Sequence, residues 1–158
     1  RVRSTYDKYN EAYLETEYVT ANTSANNAIN YREALKDKEI FTQLRYVAIL
    51  DQYTAPVCAM LNGTVAPTDS KFWATHTPPN HFNCRCHLEK IDKYEGLEPT
   101  KDLGVLSEKT TEITQPIFRT NSGITAKAFD KKHPYFNVPK KYKDLALRNF
   151  DLPIPNEK

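Results

Sequence analysis

The residues best suited to chemistry lie close together. The run Pro78-Pro79-Asn80-His81-Phe82-Asn83-Cys84-Arg85-Cys86 puts one imidazole and two thiols within six residues, directly after a proline pair. Cys58 lies upstream in Asp51-x-x-Thr54-x-Pro56-x-Cys58-x-x-Leu61-Asn62-Gly63 and completes the chain's three cysteines. Thiolates joined by an imidazole form the donor set of tetrahedral Zn²⁺, with sulfur at about 2.3 Å and nitrogen at about 2.0 Å. The expected metal ligands are therefore Cys58, His81, Cys84 and Cys86, although Cys-x-Cys is tighter than the usual Cys-x-x-Cys knuckle. The competing reading is three buried, reduced cysteines with His81 bonded to a backbone carbonyl, because free cysteine is among the most buried residue types. Clustering of every thiol with a histidine favours the metal. An odd number of cysteines leaves one over from any disulfide, and reduced or metal-bound thiols suit a cytosolic setting better than a secreted framework. His76 and His87 are weaker ligand candidates. Asp51 is a reserve ligand whose side chain is better suited to capping the turn after its strand.

Several elements must position these groups. If Cys84 to Ile91 is a strand, its period of two puts Cys84 and Cys86 on one face and Arg85 on the other. Leu44 to Leu50, rich in β-branched and aromatic residues and bounded by Asp51, reads as a buried strand. Asn62-Gly63 predicts a type I′ hairpin turn leading into a short strand through Val65, with Gly63 supplying positive φ. Residues 4 to about 37 read as two helices or one bent one. Their apolar positions are Tyr6, Tyr9, Tyr13 and Leu14, then Ala25, Ala28, Ile29 and Leu35, with a break at Thr20 to Ser24. Lys36 and Lys38 sit where a helix C-terminus favours cations. Residues 67 to 83 are expected to form a loop in which Trp73 with Phe72 is either a partner-binding anchor or, as a lone loop tryptophan more often is, the lid of a small core. From Tyr94 onward polar residues, glycine and proline predict irregular chain with short extended pieces around Gln115 to Arg119. His133-Pro134-Tyr135-Phe136 either docks an aromatic clip into a groove or pins the tail.

The predicted fold is α+β: N-terminal helices, a small antiparallel sheet or hairpin core stapled by zinc, and a long, largely irregular C-terminal extension. This divides the chain into a helical segment (1–40), a core with the Cys/His cluster (41–93) and an extended arm (94–158). At 158 residues and 39% hydrophobic content, there is material for one modest core. A net charge of +2 supplies no global field for nucleic acid or membrane. The last third is locally basic through Lys131, Lys132, Lys140, Lys141, Lys143 and Arg148, and reads first as a solvated tail. No apolar run approaches the ~18 residues a membrane span needs, and no signal peptide is visible. A first residue of Arg1 is expected of a piece of a longer polypeptide.

Taken together, the strand ending in Asp51, then Thr54, Pro56, Cys58, Leu61-Asn62-Gly63, Phe72-Trp73 and Pro78-Pro79-x-His81-x-x-Cys84-Arg85-Cys86, resembles the phage Mu F-like, or phage head morphogenesis, family of minor capsid proteins. The resemblance covers roughly residues 10 to 92. It implies a structural protein of a tailed phage or prophage, located in the head near the portal and in the host cytoplasm during assembly. It further implies partners in the portal or major capsid protein, a part in genome packaging or delivery, and no catalysis. Contact between the tail lysines and packaged DNA is a secondary expectation, and neither a membrane nor a small-molecule substrate is expected. One position departs from the family pattern, which commonly runs Cys-Pro-x-Cys: Ala55 stands where the first cysteine would be. Either His81 takes that ligand place or the ion is lost. An alternative of another class is a metal-dependent hydrolase, nuclease or toxin-like module with three protein ligands, an open water position and Asp51 as base. Against it, the chain lacks His-Glu-x-x-His, a paired acidic cluster and a glycine-rich phosphate loop. A zinc-bearing interaction module of cellular origin is a third reading, and salt-dependent DNA binding would favour it.

Overall fold

The computed structural model describes residues 2–129. The tail cations from Lys131 onward and the His133 to Phe136 run lie outside the described residues, as do the side chains of Tyr6, Tyr9 and Tyr13. The elements run α1 (Val2–Lys36), β1 (Gln43–Val47), α2 (Pro56–Leu61), β2 (Val65–Pro67), α3 (Trp73–His76), β3 (His87–Ile91), α4 (Leu103–Ile113), a 3₁₀ turn (Pro116–Phe118) and α5 (Ser122–Thr125). The α+β class is as read from the sequence.

The sheet is antiparallel with order β2-β1-β3, which makes β1 central. Its register sets Leu44 opposite Ala66 and Tyr46 opposite Leu88. Leu44 and Tyr46 point into the core while Gln43, Arg45 and Val47 are half-buried, the alternation a one-faced strand requires. Arg45 on the other face pairs with Glu89 directly across the ladder. The core closes around these residues with Tyr31 and Ala34 of α1, Val57, Cys58 and Leu61 of α2, Phe72, Trp73, Cys84, Cys86 and Leu88. Trp73 is fully buried and its indole N–H donates to the Pro67 carbonyl at 3.0 Å, so it does close the core.

Five expectations need correction. The helix does not break at Thr20 to Ser24, because α1 is continuous to Lys36. Its buried stripe is Thr20, Ser24, Asn27, Tyr31 and Ala34, whereas Ala25 and Ile29 face outward. Asn62-Gly63 is not a type I′ hairpin. Asn62 has φ −57°, Gly63 alone has positive φ at +78°, and Thr64 N–H closes on the Leu61 carbonyl at 3.0 Å, which is a type II arrangement ending α2. The loop predicted for 67–83 contains α3, and the irregular arm contains the eleven-residue α4, which packs against α2. Finally, the last strand begins at His87, so Cys84 and Cys86 precede it.

Candidate metal centre

Each thiol reaches the site for a different local reason. Cys58 sits on α2, whose first residue is Pro56, a position where the missing N–H costs nothing. The helix buries Val57, Cys58 and Leu61 against the sheet. Cys84 and Cys86 lie on extended chain running into β3, and the strand-like alternation holds although the ladder has not yet started: both are buried and Arg85 is exposed.

The backbone of this pre-strand segment bonds to side chains of α1 in place of a neighbouring strand. Thr23 Oγ1 donates to the Cys84 carbonyl at 2.9 Å and Asn27 Nδ2 to the Cys86 carbonyl at 3.2 Å. Asn27 Oδ1 accepts from Leu88 N–H at 3.0 Å, and Thr20 Oγ1 accepts from Asn83 N–H at 3.2 Å. The polar stripe of α1 thus satisfies buried backbone groups that would otherwise be orphaned.

Of the four predicted ligands, the structure brings Cys58, His81 and Cys84 together, with their ligand atoms all within 4.8 Å of one another. The Cys58 and Cys84 sulfurs are 3.8 Å apart. Cys86 is buried beside them and interacts with both sulfurs, but it is not one of that compact trio. Cys58, His81 and Cys86, with Ile49, Tyr53 and Arg85, line a cavity of about 10 Å³, room for one water-sized particle. His81 Nδ1 lies 2.6 Å from the Phe82 carbonyl, which can only accept. The proton therefore sits on Nδ1 and Nε2 carries the lone pair available to an ion.

Protonation follows from the same contacts. Hydrogen bonds with Cys58 and then Cys86 hold the Cys84 thiol far below its ordinary value, with His81 adding and burial opposing. The contact with Cys84 raises Cys58 and keeps it protonated. Cys86 is pushed up to about 11, because Cys84 and burial outweigh the downward pull of Cys58. His81 is raised above its usual value chiefly by its hydrogen bond with Cys84. An ion entering there would displace the protons that the thiols still carry. Two thiols and an imidazole in a compact group, with a third thiol at its edge, fit Zn²⁺ by donor chemistry.

The remaining sequence candidates fall elsewhere. His76 is buried between the Phe72 ring, stacked at 4.3 Å, and Thr110 Oγ1 at 3.0 Å, while His87 is exposed. Asp51 caps its own turn by accepting from Tyr53 N–H at 2.9 Å. Both of its oxygens also take Arg85 Nη2 at 2.8 Å, which holds the carboxyl below its ordinary value. The group missed by ligand-spacing logic is Tyr46, whose buried hydroxyl lies 3.2 Å from Cys58 Sγ. The inward phase of β1 was its only signal.

Comparison with known proteins agrees with this picture. The family model described as Phage Mu protein F like protein matches residues 1–89. The chain is 32% identical over 118 residues to the putative capsid assembly protein F of Escherichia phage Mu, covering 69% of this chain and 27% of that protein. It is 31% identical over 81 residues to the Mu-like prophage FluMu F protein of Haemophilus influenzae, covering 51% of this chain and 20% of that one. The aligned region thus spans about a quarter or less of these relatives' length. No solved structure matches. The sequence motif, the family model spanning more than half of the residues and the two relatives agree: the chain belongs to the Phage Mu protein F like family.

Proposed function

We propose that this chain is the zinc-stapled structural part of a minor head protein of a tailed phage or prophage, acting in head morphogenesis. The observation that carries the reading is the meeting of Cys58, His81 and Cys84 within 4.8 Å in a chain of this family. Cys86 is the fourth ligand in this reading. Zinc, when bound, supplies a cross-link between α2 and the segment before β3, a structural role that needs no open position. Residues 41–93 are the stapled core, 1–40 its helical support and 94–158 the arm offered to other head components.

The partners in this reading are the portal or the major capsid protein, in the head near the portal, after assembly in the host cytoplasm. Contact of the tail lysines with packaged DNA is secondary. The site is read as non-catalytic, because Asp51, the base that a hydrolase would need, spends both oxygens on Arg85. Elemental analysis of the purified chain tests the staple, with one zinc per chain expected. Mass spectrometry of purified heads, with particle counts after Cys84→Ser is placed in the phage or prophage, tests the role. Normal yields of filled heads from that variant would overturn it.

A further inference from the structure

Tyr46 has 0% of its surface exposed, and its hydroxyl lies 3.2 Å from Cys58 Sγ and 2.9 Å from Asn80 Oδ1. A phenol has one proton and serves one of these two acceptors at a time. Asn80 is 2% exposed, and its Nδ2 has no partner among the described residues. A buried amide donor left in that state is destabilising. A single movement changes both accounts. If the Asn80 amide turns end for end, Nδ2–H donates to the phenol oxygen and the phenol proton is released to the sulfur. The oxygen then left unpaired is less costly than an orphaned N–H. What makes this arrangement favourable is a thiolate acceptor, because charge-assisted hydrogen bonds are roughly twice as strong as neutral ones. A thiolate is what Cys58 becomes on binding a metal.

We propose that Tyr46 and Asn80 form a relay, Asn80 Nδ2–H to the Tyr46 oxygen and Tyr46 O–H to Cys58 Sγ, that positions the Cys58 thiolate and withdraws charge from it in the zinc-bound protein. The inference rests on the zinc reading of the site and names two positioning residues which that reading lacks. Tyr46 is suited to the task because its backbone is fixed on both sides: β3 pairs along one edge of β1, and Tyr46 N–H donates to the Thr64 carbonyl at 2.8 Å on the other. The hydroxyl therefore meets the sulfur from a rigid strand, as an outer-shell donor should.

The test uses the full chain loaded with Zn²⁺, or with Co²⁺ for its spectrum. Tyr46→Phe keeps the ring and removes the donor. Expected are zinc binding weakened about 10-fold in chelator competition, a thiolate-to-cobalt charge-transfer band at longer wavelength, and faster alkylation of Cys58 in the loaded protein. A merely space-filling tyrosine would leave the band where it is, and an unchanged band with unchanged affinity overturns the relay. Should Tyr46→Phe fail to fold, Asn80→Asp decides the matter. Its carboxylate draws the phenol proton away from sulfur, so the same spectral shift is expected and its absence again overturns the relay. A wild-type chain that takes up neither ion fails in a distinguishable way, by sinking the zinc reading and the relay together.

Discussion

Cys84 is the residue on which the centre turns, because it contacts both the Cys58 sulfur and the His81 ring, and these contacts lower its pKa. Replacing it with serine should abolish stoichiometric zinc uptake, whereas Cys86→Ser, at the edge of the trio, should weaken binding and leave it measurable; elemental analysis and chelator competition separate the two. His76 contributes differently. Burial lowers its pKa from the usual 6.5, so the folded chain holds it neutral. Its contribution to stability is complete above about pH 6.5, where the unfolded chain is neutral too. It declines as the pH falls from there through the depressed folded value, because the unfolded state then binds the proton more readily. Urea midpoints at pH 7.5 and pH 5.5 should accordingly differ more for the native chain than for His76→Gln. Residue types made the four ligand candidates legible, since thiols and imidazoles announce themselves. Tyr46 was not legible, because a tyrosine on an inward strand position looks like any other core aromatic until its hydroxyl is seen beside a sulfur.

At the level of elements, α1 departs most from what its composition suggests. Thr20 and Ser24 looked like a helix break because hydroxyl side chains compete for backbone groups. Here Thr20 Oγ1 donates to the Thr16 carbonyl at 2.7 Å and accepts from Asn83 N–H, so the hydroxyl joins helix to loop without interrupting either. Apolar periodicity finds the wrong face when the buried face is polar and bonded. Asn27→Ala should therefore cost about 1–3 kcal/mol, since it strands the Cys86 carbonyl and Leu88 N–H in a buried place. Chemical denaturation would measure this, and lower zinc affinity should accompany it. Close approach governs the packing of α5 on α1: a Cβ on Gly123 would stand 2.9 Å from Tyr31 Cδ1 and 3.0 Å from the Ala28 carbonyl. Gly123→Ala should loosen α5 from α1 at a cost of about 1–3 kcal/mol, seen as a lower melting temperature with zinc content unchanged. The Asn62-Gly63 pair marks a turn without fixing its type, because the dipeptide demands positive φ at glycine in either turn and says nothing of the helix before it. In α4, only Thr110 is buried, so the segment gave no clear apolar stripe to read.

For the molecule as a whole, three segments far apart in sequence meet at the sulfurs: α2, the chain before β3, and α1 behind it. The class, the central strand and the meeting of Cys58 with Cys84 could be read before any coordinates, because they follow from strand periodicity and from the small number of thiols. The α1 packing could not, since it depends on hydrogen bonds between groups about sixty residues apart. On the zinc reading proposed above, removing the ion with a chelator should lower the melting temperature by about 10 °C, and adding zinc back should restore it, because a bound ion would join elements that the sheet alone does not tie together. Reduced samples are needed for that measurement, as the 3.8 Å sulfur pair would otherwise oxidise once bare.

The grip of Thr23 and Asn27 on the Cys84 and Cys86 carbonyls has a mechanical side. Tension applied along the long helix, as in a particle whose shell expands or whose contents press outward, would be delivered straight to the peptide units bearing two of the sulfurs. The same handle would let a load on the helix be felt as a change in how closely Cys58, His81 and Cys84 are held together.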